Sequence, residues 1–122
     1  MKFLHTADWQ LGMTRSFLDA EAQARFSAAR RDAVAALGRV ARETGAEFVV
    51  VAGDVFESNQ LAPKVVSQSL EAMRAIDVPV YLLPGNHDPL DAASVYRSAL
   101  FEKECPSNVT VLDSPGVIDV GP

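Results

Sequence analysis

Cysteine is almost missing from this sequence: Cys105 stands alone among 122 residues, so no internal disulfide can form. Such usage fits a reducing cytoplasm. Cys105 has no thiolate-activating neighbour in sequence and reads as a bystander. Also missing is any apolar run near the roughly 20 residues that cross a bilayer, so no membrane partner is expected. Met1-Lys2-Phe3-Leu4-His5 holds one lysine but no long apolar stretch follows, and the segment does not read as a signal peptide. A basic excess is absent too. The net charge of −5 argues against a non-specific nucleic-acid coat. It leaves room for an enzyme that cuts nucleic acid, because divalent metals neutralise clustered carboxylates. Five arginines fall between Arg25 and Arg42, with acids interleaved, which fits a solvated helix face. Repeats and low-complexity linkers are lacking. What is abundant is apolar surface, 48% of residues, enough for the core of one domain and too much for a disordered chain.

The apolar residues alternate between two patterns. Phe3 to Ala7, Glu47 to Ala52 and Val78 to Leu83 are short continuous runs, as in parallel strands buried on both faces. Between them the spacing is helical. A first helix is predicted from about Phe17 to Glu43, with Phe26, Ala29, Ala33, Leu37 and Val40 on one stripe. Ser16 with Asp19 is a candidate cap, and Gly45 is placed to end the helix. A second helix starts near Pro63 and carries Val66, Leu70 and Met73. A third is predicted from about Asp91 to Lys103, and Val109 to Leu112 and Val117 to Val120 read as short strands. The order β-α-β-α-β-α-β-β implies an α/β fold built from right-handed crossovers. Asp119-Val120-Gly121-Pro122 does not resemble a domain ending. Residues 1–122 are expected to be a piece of a longer domain.

Polar clusters follow the apolar runs immediately: Asp8, then Gly53-Asp54, then Gly85-Asn86-His87-Asp88. Sites in open α/β sheets form beyond the carboxyl ends of strands, so these residues can converge although far apart in sequence. Hard divalent cations need several oxygen ligands from different directions, and imidazole suits manganese, iron or zinc. Singly, each cluster fits a turn or a helix cap. In this order and at these strand ends, they point to a metal centre.

His5-Thr6-Ala7-Asp8-Trp9-Gln10-Leu11-Gly12, Gly53-Asp54-Val55-Phe56-Glu57 and Gly85-Asn86-His87-Asp88 resemble the first three signatures of calcineurin-like metallophosphoesterases. The opening stretch is most similar to SbcD-type DNA repair exonucleases. The resemblance implies the N-terminal part of an α/β/β/α sandwich and two divalent metals, manganese first, with magnesium, iron or zinc as alternatives. It implies that Asp8 binds the first metal, Asp54 bridges both, and Asn86 binds the second through its amide oxygen. His87 becomes the catalytic histidine at the leaving oxygen, and Asp88 orients it by accepting its other ring proton. The metals turn a bridging water into the hydroxide that attacks phosphorus. Implied partners are DNA, an SbcC-type ATPase and a second copy of the chain, with the second and third helices as candidates for the pairing; Val95, Tyr96, Leu100 and Phe101 fit such a face, and core burial explains most of them equally well.

The resemblance is incomplete. The family has histidine two residues after the first aspartate, where this chain has Gln10. Its amide oxygen is a weaker donor to zinc or iron, and direct ligation, ligation through water and no contact all stay open. His5 points away from Thr6 and Asp8 on a strand and is expected to be a hydrogen-bonded structural residue. The family completes its site with further histidines, yet His5 and His87 are the only two here, so residues 1–122 are expected to lack the C-terminal metal-ligand half and to be inactive alone. Trp9 reads as a packing aromatic. Three readings follow: a DNA repair nuclease, a phosphoesterase for nucleotides or other small substrates, and a weakened scaffold supported only by Gln10.

Overall fold

The computed structural model describes residues 1–120. Strands β1 (Leu4–Thr6), β2 (Val49–Ala52), β3 (Val80–Leu83) and β4 (Val109–Val111) form one parallel sheet in the order β1-β2-β3-β4. Helices α1 (Ala20–Thr44), α2 (Pro63–Arg74) and α3 (Ala99–Glu104) fill the connections. A monotonic strand order with crossovers of one hand puts all helices on one face. Accordingly α1 packs on α2, and α2 on α3.

Strand alternation divides the sheet. Val49, Val51, Val80 and Leu82 point at the helices and are wholly buried. Burying each such side chain contributes about 1.5–3 kcal/mol. On the opposite face His5, Val50, Tyr81 and Thr110 lie in register. That face is not covered as the continuous apolar strands predict. Phe3 lies flat on Phe48 at 4.9 Å, and Phe48 meets Tyr81 edge-on at 5.9 Å. The stack hides Phe48 and Tyr81 but leaves Phe3 and Leu83 exposed. His5 is exposed here with no ring hydrogen bond among the described residues, so the structural role expected of it is not seen.

The helices differ from expectation where caps decide. Helix α1 begins at Ala20, because the Asp19 carboxylate, not Ser16, accepts from Ala22 N at 2.7 Å. Gly45, at φ 72°, ends it. Its buried stripe is Val34, Gly38 and Ala41, while Ala29 and Ala33 are exposed. Gly38 explains the shift: a Cβ there would lie 2.8 Å from the Ala75 carbonyl, so α1 and the end of α2 meet backbone to side. The third predicted helix is broken into a 3₁₀ turn, Val95–Arg97, and the shorter α3. Ser94 and Ser98 break it by turning their hydroxyls onto Tyr96 N and Phe101 N. Val117 to Val120 form no strand, since the chain bends at 114–116 and leaves Val117 fully exposed. Gly121 and Pro122 lie outside the described residues. Of the two roles open to Val95, Tyr96 and Phe101, a dimer face and core burial, the structure shows burial in the core of the chain itself.

Candidate metal centre

The candidate ligands sit where strands end and the backbone turns. Among the described residues, Asp8, Gln10 and Asp54 are the non-glycine residues with positive φ, at 56°, 49° and 54°. Aspartate tolerates this left-handed region; glutamine does so poorly. The loops carrying them are joined like a short parallel ladder. Asp8 N donates to Gly53 O at 3.0 Å, Gln10 N to Asp54 O at 2.9 Å, Leu11 N to Val55 O at 2.9 Å, and Glu57 N to Leu11 O at 2.9 Å. Leu11 and Phe56, both buried, are bridged in this ladder. Backbone pairing between two loops therefore holds Asp8 beside Asp54.

The third loop is drawn in by side chains. His87 N donates to Asp54 Oδ1 at 2.8 Å. Gly85 allows this approach, since a Cβ at that position would collide with Asp54 N and Oδ1 and lie 3.0 Å from its Cγ. Asp88 does not orient the His87 ring as expected. It is wholly buried, whereas His87 is exposed. Its Oδ1 accepts from Gly85 N at 2.8 Å, and its Oδ2 accepts from Phe56 N at 3.0 Å and from the Tyr96 hydroxyl. The carboxylate is thus a clasp between the 53–57 and 85–88 loops. Burial first, and then the hydrogen bond and charge of Asp88, push the Tyr96 hydroxyl far above the usual phenol range.

Trp9 is buried and donates to Thr6 Oγ1 at 3.0 Å. Its carbonyl accepts from Arg30 Nη2, reached from α1. Neither Tyr96 nor Arg30 is legible as a site residue in the sequence. Tyr96 follows Asp88 by no recognisable spacing, and Arg30 lies within the arginine run that reads as a solvated face.

The arrangement fits part of a site for hard cations. The side-chain oxygens of Asp8, Gln10 and Asn86 and Oδ2 of Asp54 accept no hydrogen bond among the described residues; Asp8 and Asn86 are exposed, and Gln10 and Asp54 half-buried, on adjoining loops. Carboxylate and amide oxygens suit magnesium or manganese. No group of three His, Cys, Asp or Glu among the described residues converges enough to hold an ion by itself. Amides stand at two of the candidate positions, and the other histidine, His5, is exposed on β1.

This chain resembles DNA double-strand break repair protein Mre11 of Archaeoglobus fulgidus, 33% identical over 72% of the chain and 19% of that protein. It also resembles the SbcD component of the nuclease SbcCD of Bacillus subtilis, 33% identical over 77% of the chain and 24% of the relative. The corresponding SbcCD component of Rhodobacter capsulatus is 28% identical over 98% of the chain and 29% of the relative. The chain thus spans less than a third of the length of these curated relatives. The calcineurin-like phosphoesterase family matches residues 1–119, and this chain belongs to that family.

Proposed function

We propose that the whole protein containing this chain is a metal-dependent phosphodiesterase acting on DNA in repair. Residues 1–122 supply the first half of its two-metal centre, and the remaining donors come from elsewhere in the protein. The observation that carries this reading is the set of side-chain oxygens on Asp8, Gln10, Asp54 and Asn86 that accept no hydrogen bond among the described residues, on loops joined by backbone pairing and the Asp54–His87 hydrogen bond. The nuclease and repair names of the relatives support DNA as substrate. That two of them are components of a multi-subunit nuclease, SbcCD, supports a partner, an SbcC-type ATPase. The single cysteine supports a cytoplasmic setting, and no helix among the described residues is long and apolar enough to cross a membrane.

Asp8, Asp54, Asn86 and, with a weaker donor, Gln10 would hold manganese or magnesium. When bound, such ions stabilise charge on the phosphate and make water a nucleophile near neutral pH. Hydrogen bonds within the chain support a role for His87. Asp54 Oδ1 holds the His87 amide, and the Asp88 clasp fixes the loop on both sides of it. The exposed imidazole at the loop tip then protonates the leaving oxygen of the phosphodiester.

The test is incubation of the whole protein with manganese and labelled linear DNA, beside its Asn86→Ala and His87→Ala variants. Metal-dependent degradation lost in both variants is expected. Cleavage of a chromogenic phosphodiester with DNA left intact would refute the nuclease reading and favour a small-substrate phosphoesterase.

A further inference from the structure

The arginines of this acidic chain divide into two groups. Arg25, Arg39, Arg42 and Arg74 pair with Glu21, Glu43, Asp77 and Glu71. Arg15, Arg30, Arg31 and Arg97 have no ion pair among the described residues. Three of these share a cavity with an acid, Arg30 with Asp8 among them. Arg97 shares a cavity with Glu102 and Asp113, and Arg31 shares one with Asp32 and Glu71.

Arg15 and Arg30 are set apart by a shared ring. Their guanidinium carbons lie 5.8 and 5.5 Å from the centroid of the same ring, Phe26, within range of cation–π attraction. Arg30 is tied to the metal loop through the Trp9 carbonyl, between Asp8 and Gln10. It also lines a cavity of about 270 Å³ with Thr6, Asp8 and Trp9. Its Nε is enclosed with no partner, so this guanidinium has more donors than acceptors. Arg15 stands in an exposed turn closed by Leu18 N onto Arg15 O at 3.0 Å. The same turn carries Phe17, which is 82% exposed. Asp19, the nearest acid along the chain, is engaged in capping α1. Two like charges therefore sit on one ring, beside a metal loop, with an aromatic side chain standing in water.

We infer that Arg15, Phe26, Arg30 and Phe17 form a platform for single-stranded nucleic acid leading to the metal centre. The exposed Arg15 guanidinium takes a backbone phosphate, Arg30 holds the Phe26 ring and the Trp9 carbonyl beneath it and adds positive charge, and Phe17 stacks on a base. Cationic groups interleaved with exposed aromatics are the combination that binds single strands without reading sequence. A mononucleotide would use one such phosphate contact, whereas the spread from the Arg15 turn to the Arg30 cavity suits a polyanion. This rests on the nuclease reading above and adds the residues that hold the strand.

The test separates binding from cleavage. Fluorescence anisotropy of a labelled oligothymidylate is measured with the whole protein in EDTA across a potassium chloride series. Arg15→Ala is expected to weaken binding about threefold or more and to flatten the log–log salt slope by about 0.7, the value for one single-strand phosphate contact. Phe17→Ala is expected to weaken binding roughly fivefold or more and to leave the slope unchanged. Arg25→Ala, removing an arginine paired on the same helix as Arg30, should change neither. All three positions are exposed, so folding is not at risk. Wild-type binding and slope in both Arg15→Ala and Phe17→Ala would overturn the platform while leaving the nuclease reading intact. A wild-type protein that neither binds the oligonucleotide nor cuts DNA, yet hydrolyses a chromogenic phosphodiester, would overturn both.

Discussion

Tyr96→Phe removes a single oxygen, and the structure says what that oxygen does. The hydroxyl donates to Asp88 Oδ2 in the buried clasp. The ring packs against Phe56 at 5.8 Å and Phe101 at 5.3 Å, and phenylalanine keeps both contacts. Asp88 also keeps its bonds from Gly85 N and Phe56 N, so the carboxylate is weakened rather than stranded. A hydrogen bond to a charged group contributes about 1.5–3 kcal/mol. Phenylalanine recovers a little by burying no hydroxyl, which places the expected loss near ~2 kcal/mol. With a urea m-value of about 2 kcal/mol/M, the midpoint should fall by about 1 M. Trp9, the single tryptophan and a buried one, reports the transition by fluorescence. The pH dependence is a second check. The unfolded phenol loses its proton near pH ~10, whereas the folded one, held up by burial and by Asp88, keeps it. Above about pH 10 the unfolded state therefore binds fewer protons, and stability falls with rising pH by up to about 1.4 kcal/mol per unit. The contribution is complete below that point and is lost above it. The gap between wild type and Tyr96→Phe should close as pH rises from about 9 to about 11. A midpoint unchanged by the substitution, or a gap constant across that range, would refute the clasp.

Other positions separate site from scaffold. Asn86 and His87 are exposed, so alanine at either should leave urea unfolding within about 0.5 kcal/mol of wild type. His87→Ala should nonetheless lower metal-dependent hydrolysis by the whole protein roughly 10²- to 10⁴-fold. Gly85→Ala drives a methyl group into Asp54 N and Oδ1, and thermal unfolding should show a loss of about 1–3 kcal/mol. Gly38→Ala gains up to about 1 kcal/mol of helix propensity. It also places a Cβ 2.8 Å from Ala75 O, and net destabilisation in the same assay is expected.

The sequence shows this fold most clearly where one local rule acts alone. Val49, Val51, Val80 and Leu82 lie in strands where their apolar runs place them, and Pro63 starts α2. Elements depart from their expected bounds where a side chain competes with the backbone. Ser98 looks like a neutral position in a helical stretch, but its hydroxyl caps Phe101 and divides the helix. Candidate site residues stand out as types, because aspartate, asparagine and histidine at strand ends are few. Their connections are not. Asp88 carries the same letter whether it faces His87 or turns inward, and only the distant Phe56 amide and Tyr96 hydroxyl decide that. Arg30 reads as one charge in a mixed run until the fold sets the Trp9 carbonyl within its reach.

Gln10 shows how to separate strain from ligation. Its φ of 49° is one that glutamine disfavours, by about 1–2 kcal/mol relative to its usual conformations. No hydrogen bond of its side chain among the described residues offsets this. The ladder does, through Gln10 N to Asp54 O and Leu11 N to Val55 O, so the conformation is imposed by the pairing of two loops. Glycine at this position would meet the same ladder without the steric cost. Gln10→Gly should therefore raise stability, by about 0.5–1 kcal/mol once the freer unfolded chain is subtracted. If the amide also ligates, the same substitution should weaken manganese binding by the whole protein in calorimetric titration. A more stable variant with undiminished affinity would mark Gln10 as a bystander. A less stable variant would refute the strain argument itself, because the side chain would then be holding the loop.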